Sequence, residues 1–247
     1  MIKGLSTRIS NGATVVAAAS LMACASGPLP PEWQSSALGS VKGFTSAYLE
    51  GNTQVADFEF GRAKADIAAT GRLDLIARAE LVRCAARVAS LEFDNCAGVQ
   101  TLDADTAAPE RAYAAYLRGA RAGEAGLDAP QIALLPEQHR PVLASKDDSA
   151  RVATLLVIKD PLARLIAAGV LFQAAQLPPT GVDLAVNTAS DQGWRKPLLA
   201  WLGVQLKLTE ASTQGEAKAR IQRRIDLILS REAVKPSLTG ASAPQRP

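Results

Sequence analysis

Apolar residues recur along most of this chain at spacings of three and four, the period of a helix with one buried face. Leu38, Val41, Phe44 and Tyr48 begin the series; Gly51-Asn52 ends that helix, with Asn52 or Thr53 placed to cap the next. The second helix carries Val55, Phe58, Phe60, Ala63 and Ile67 and stops at Thr70-Gly71. The third has the clearest period: Leu73, Ile76, Leu81, Cys84, Val88 and Leu91. Turns this tight between three helices require antiparallel neighbours. Pro109 suits the first turn of a helix running through Tyr113, Tyr116 and Leu117 to about Gly123. Short helices are predicted around 132–135 and 141–145, and Asp147 or Asp148 can cap one holding Val152, Leu155, Leu156 and Ile158. Asp160-Pro161 starts the most apolar helix, 162–177, which has no charge over 165–172 and is bounded by Arg164 and Pro178-Pro179. At that length it is a buried central helix, not a membrane span. Helices over 180–189, 196–208 and 216–230 complete the series, the last with Ile221, Ile225, Ile228 and Leu229 facing inward. No stretch sustains the alternation of a strand. The pattern is all-α, with roughly ten helices in antiparallel hairpins, arranged as an α-solenoid or as an irregular bundle.

The two ends break this pattern. Lys3 and Arg8 precede an uncharged run over 9–23 with an apolar heart at 13–19. A basic start, a short apolar run and a small-residue end are the parts of a secretory signal. The run falls short of the roughly 20 apolar residues that cross a bilayer. It closes on Leu21-Met22-Ala23-Cys24, which resembles the lipobox of bacterial lipoproteins. The resemblance implies a diacylglycerol on the Cys24 thiol, cleavage after Ala23, and usually acylation of the new amine. Ala25, where Asp would stand in a retained lipoprotein, is similar to the default sorting to the outer membrane in Gram-negative cells. Several acyl chains, each contributing about 0.8 kcal/mol per buried methylene, would make a lipid bilayer the first partner. The other reading is an ordinary secretory signal with a chance cysteine. The plan is therefore a signal over 1–23, a Pro-rich tether over 24–34, an all-helical domain over 35–230 and a Pro-, Ser- and Gly-rich tail over 231–247, expected to be disordered. Trp33, beside the tether, is placed to rest near lipid headgroups or to staple the first helix.

Composition narrows the class. Hydrophobic residues make up 48% of the chain but aromatic ones only 4%, so Ala and Leu carry the core and favour closely packed helices. All 24 acidic residues and 25 of the 27 basic ones follow residue 23, so the net charge of +3 falls to +1 after cleavage. No Lys/Arg cluster interleaved with aromatics is present, and a nucleic-acid partner is excluded on that ground. With Cys24 lipidated, Cys84 and Cys96 remain as an even pair suited to an oxidising compartment. A disulfide is expected; a buried thiol at Cys84 or a two-ligand metal site are the alternatives, the latter lacking further His or Cys.

Candidate chemistry is sparse. His139, the single histidine, lies between Gln138 and Arg140 beside two prolines and reads as an exposed loop residue, with general-base work as the other possibility. No G-x-S-x-G elbow, H-E-x-x-H or phosphate-cradling glycine loop occurs, and the acids Asp103 and Asp105 lack the EF-hand order. Among the carboxylates, Asp57 and Glu59 point in different directions on one helix. Asp147 and Asp148 read as caps, and Glu80, flanked by Arg78 and Arg83, as part of a solvated charge pattern. No catalytic residue, metal or cofactor is assigned. Trp194 and Trp201, seven apart, form with Arg195 and Lys196 either a binding patch or a core stripe. Leu199, Leu202, Gly203, Leu206, Ala217 and Ile221 resemble the helix-pair signature of a tetratricopeptide repeat, with about two extra residues in its turn. That resemblance implies a scaffold that binds protein segments in a concave groove, with Gly203 letting the two helices approach. An unrelated helical hairpin is the other reading.

The expectation is a non-enzymatic lipoprotein of the cell envelope, anchored in the outer membrane and facing the periplasm. Its helical domain would bind a protein or another envelope component. The alternatives are an envelope enzyme acting on peptidoglycan through carboxylates, and a carrier of small apolar ligands with a cavity near 165–172.

Overall fold

A computed structural model describes residues 31–123, 126–210 and 215–233, except for the side chains of 210 and 231–233. Cys24, Ala23, the signal, most of the tether and the tail beyond 233 lie outside the described residues. The described residues from Glu32 onward fall within one compact unit. They form twelve α-helices joined by turns, with 3-10 turns at Asp103–Asp105 and Glu137–His139. The only extended pairing among them is one isolated bridge, Ala122 to Leu127. The all-α class read from the periodicity is what the chain adopts.

The first three helices are α1 (Glu32–Leu49), α2 (Thr53–Ala68) and α3 (Leu73–Ala89), packed on one another as a triple hairpin. Helix α1 starts three residues earlier than the sequence pattern predicts, so Trp33 and Gln34 belong to it and not to the tether. The Asn52 side chain caps α2 by accepting the Val55 N–H at 3.5 Å. Gly51, at φ +81°, makes the turn before it. The short α4 (Ala97–Gln100) and α5 (Ala108–Leu117) follow, then α6 (Ala129–Ala133), α7 (Arg140–Ala144) and α8 (Asp148–Val157). Asp147 caps α8 through Ala150 N–H at 2.8 Å. Asp160 caps α9 (Pro161–Gln173) through Ala163 N–H at 2.6 Å. The last three are α10 (Pro179–Asp191), α11 (Arg195–Glu210) and α12 (Gly215–Ala233).

Two hydrophobic clusters meet along α3. The larger joins one side of α3 to α5, α9, α10 and α11; the smaller joins its other side to α1 and α2. Ala77, Ala79, Ala85 and Ala86 are buried on α3, and these small side chains let helices close on it from both directions. Helix α9 is buried along its middle, from Leu165 to Leu171, as a central helix should be. Gly169 sits where a Cβ would collide with the Val88 carbonyl of α3, so the α3–α9 approach depends on glycine there. In a solenoid each unit touches only its chain neighbours. Here α3 packs on α9 and α1 on α11, so the hairpins form an irregular bundle.

The predicted inward faces need revision in places. Phe44, Tyr48 and Phe60 are buried, but Leu38 (55% exposed), Phe58 and Leu73 are not. Leu229, expected to face inward on α12, is 46% exposed; that helix packs mainly on α11. Gly203 has no atom of another element within 4 Å of where a Cβ would stand, so it is not the point of close helix approach.

Candidate functional site

Helix α3 is covered on two sides, and between the covered sides runs a strip that is not. Leu75, Arg78 and Val82 lie along it at spacings of three and four, on one face of the helix. Helix α1 borders the strip with Trp33, Leu38 and Val41, and the end of α2 contributes Ile67; together they enclose an open hollow of about 430 Å³. On the far side Tyr113 of α5, Leu134, and Leu162 and Ile166 of α9 line a second hollow of about 610 Å³. The two share Arg78 and Val82, so they adjoin across α3 as the halves of one open apolar groove. Both volumes are in the range of ligand pockets, about 300–1,000 Å³.

The polar groups at the rim are mostly basic. Arg72, Arg78 and Arg140 line the hollows, with Glu110 as the carboxylate among them. Arg78 Nε donates to Glu110 at 2.8 Å. Arg72 pairs with Asp74 at 2.7 Å, and its guanidinium holds the Asp74 carboxyl below the usual carboxylate range. Arg140 is fixed by Nε donating to the Leu135 carbonyl at 2.8 Å.

Behind the second hollow lies a buried polar core that the sequence does not reveal. His139, read from the sequence as exposed, is 1% exposed. The 3-10 turn Glu137–His139 directs the imidazole inward, between Tyr113 and Tyr116 at ring-centroid distances of 5.9 and 5.0 Å. Its Nδ1 is 3.1 Å from the Tyr116 hydroxyl. Burial lowers the His139 pKa to about 4, against a smaller opposing pull from Asp160, so the ring is neutral at pH 7. Burial likewise pushes the Tyr113 and Tyr116 phenols up, leaving both protonated.

Glu80 too lies in the interior. Instead of a solvated position it is 4% exposed on α3, accepting from Lys64 Nζ at 2.8 Å and pairing with Arg83 at 2.8 Å. The Arg83 guanidinium lies 4.8 Å over the Phe60 ring. A Cβ at Gly98 would collide with the carboxylate, so α4 packs directly on it. The same segment is tied to α3 by Cys84 and Cys96, which stand at disulfide-bonding distance with Cα atoms 5.2 Å apart, as the spacing suggests.

A further ionic cluster joins α1, the end of α3 and α11. Tyr48 donates to Glu92 at 2.7 Å, Lys196 reaches the same carboxylate at 2.9 Å, and Arg87 stands between Glu92 and Asp94. Partial burial raises the Glu92 pKa, but the bonds from Lys196 and Tyr48 outweigh it and the net shift is downward. These are two acids close together, yet Glu92 is moved away from what a general acid requires. Asp57 is exposed, and Glu59 pairs with Arg62 at 3.6 Å.

The proposed patch of Trp194, Arg195 and Trp201 is not assembled. Trp201 is fully buried, donating from Nε1 to the Ala89 carbonyl at 3.0 Å with its ring edge-on to Phe172. Trp194 packs between the two hydrophobic clusters, and the Arg195 guanidinium lies over Gly51. Trp201 lies on the inner face of α11 and fills the core, while Trp194, just before that helix, is half-buried against both clusters. Among the described residues no group of three or more His, Cys, Asp or Glu is placed to hold a metal, and no helix is long and apolar enough to cross a membrane. Comparison with family models, curated proteins and solved structures finds no match.

Proposed function

We propose that this chain is a cell-envelope lipoprotein whose helical domain works as a binding module. Leu21-Met22-Ala23-Cys24 supports the location, and the Cys84–Cys96 pair fits an oxidising compartment such as the periplasm. Outer-membrane anchoring rests on Ala25 following the cysteine. The observation that carries the binding role is the open groove across α3. Its lining keeps Leu38 and Leu134 exposed (55% and 40%) beside the open apolar hollows, and contiguous apolar surface of this kind marks an interaction site.

The location is tested by feeding cells an alkyne analogue of palmitate and following wild type beside Cys24→Ser. Label on the wild type, its loss in the variant, and release of the variant from the membrane fraction are expected. Equal labelling of the two proteins overturns the anchor. The binding role is tested by substituting Leu38 and Leu134 with Asp. These changes should abolish co-purification of the partner while leaving thermal stability within about 1 kcal/mol, as for surface positions.

A further inference from the structure

We propose that a third hollow, between α10, α11 and α12, seats the headgroup of a zwitterionic phospholipid of the ethanolamine class, with its phosphate on Arg220 and Arg224 and its ammonium on Asp183. The inference lies apart from the groove across α3 and rests on the reading of this chain as a lipid-anchored envelope protein.

The hollow has a volume of about 510 Å³ and carries both signs of charge. Arg220 and Arg224 stand one turn apart on α12, so their guanidiniums lie on one side of that helix. Neither makes an ion pair among the described residues, whereas Arg72 and Arg78 at the other groove are paired. Two free guanidiniums one turn apart suit a phosphate, which accepts charge-assisted hydrogen bonds from both. Asp183 of α10 accepts from Gln205 Nε2 of α11 at 2.6 Å, and that bond fixes the carboxylate. Gln205 Oε1 is buried with no donor among the described residues, and a buried acceptor left so costs stability. No ion pair joins Asp183 to either arginine, although all three line one hollow. A ligand with an anionic and a cationic group a few bonds apart satisfies both at once. A plain anion is repelled by Asp183, and a plain cation by the arginines.

The apolar side chains select a lipid headgroup over a free zwitterion. Leu208, 43% exposed, and Ile221 line the same hollow, and Leu227, 72% exposed, follows Arg224 by one turn of α12. Exposed leucines beside arginines suit the boundary between phosphates and acyl chains. Helix α12 packs mainly on α11, which leaves its other side open to a surface. A chain anchored to that surface meets it at high effective concentration, so a site of modest affinity suffices.

The test is calorimetric titration of the purified full chain with short-chain phospholipids kept below their micellar concentration. Phosphatidylethanolamine should bind. Phosphatidylcholine, whose quaternary ammonium has no N–H to donate, and phosphatidylglycerol, which has no cation, should each bind about tenfold more weakly, the loss of one charge-assisted hydrogen bond. Arg220→Gln and Arg224→Gln should each weaken all three lipids about tenfold and keep the ethanolamine preference. Asp183→Asn should abolish the preference for ethanolamine over choline. That split between affinity and preference is one that simple misfolding does not produce. Equal binding of the three lipids, a preference that survives Asp183→Asn, arginine variants that bind as wild type does, or no binding of phosphatidylethanolamine overturns the proposal. Free phosphoethanolamine bound as tightly as the lipid assigns the site to a soluble phosphate ester and overturns the lipid. Failure of palmitate labelling with the ethanolamine preference intact removes the anchor and leaves the site, and labelling without the preference does the reverse.

Discussion

Acidification should destabilise this protein through one histidine. His139 is buried between Tyr113 and Tyr116, and burial depresses its pKa to about 4. In the unfolded chain the imidazole titrates near 6.5. Between those values the unfolded state binds the extra proton, so stability is fully present above the unfolded pKa. It falls as pH drops toward 4 and is constant below it. At about 1.4 kcal/mol per pKa unit, the gap corresponds to about 3 kcal/mol. Since the chain holds one histidine, its imidazole resonances can be followed by NMR without assignment by mutagenesis. The folded protein should titrate near pH 4, and a value near 6.5 would refute burial as the cause. Urea unfolding at pH 7, 5.5 and 4 supplies the second measurement. Carboxylates such as Glu92 also lose stabilisation in acid, so the informative quantity is wild type minus His139→Gln. That difference should shrink by about 3 kcal/mol from pH 7 to 4. A difference independent of pH would sink the assignment of His139 as a buried neutral base.

Two further predictions concern the bundle itself. Replacing Cys84 and Cys96 by Ala opens a link spanning 12 residues, and should lower stability by about 3 kcal/mol, read as a Tm fall of roughly 6–12 °C in calorimetry. Gly169→Ala should cost about 1–3 kcal/mol because its Cβ meets the Val88 carbonyl, whereas Gly203→Ala, facing open space, should gain up to about 1 kcal/mol from helix propensity. Paired urea titrations decide the contrast, and equal effects at the two glycines would show that α3 and α9 do not approach there.

Much of the bundle was legible in the residues. Asn52, Asp147 and Asp160 cap helices where the pattern places starts, and Pro178-Pro179 follows the central helix α9 as its stop signal. The groove was not legible. Leu75 and Val82 fall off the best periodic face of α3, and that helix is enclosed from two sides, so a single inward stripe misstates its environment. Glu80 and His139 were misread for a related reason. The charges beside Glu80 in sequence suggest solvent, but Lys64 reaches it from α2, and Tyr116 meets His139 across 23 residues. Trp194 and Trp201 carried the right period with two meanings, and the Ala89 carbonyl selected the core.

By itself the sequence determined that the chain is helical, where most helices begin and end, and that Cys84 and Cys96 suit one another, because caps, turns and periodicity act between residues close along the backbone. It also carries the Leu21–Cys24 stretch on which the proposed anchor depends. Tertiary structure decided which side chains lose water: Glu80 and His139 enter the interior, Leu38 stays outside it, and the strip on α3 opens into a groove. Burial depends on helices brought together from distant parts of the chain, such as α3 with α9 and α1 with α11. Local pattern does not encode those meetings, because many arrangements of amphipathic helices satisfy the same periodicity and only side-chain packing selects among them.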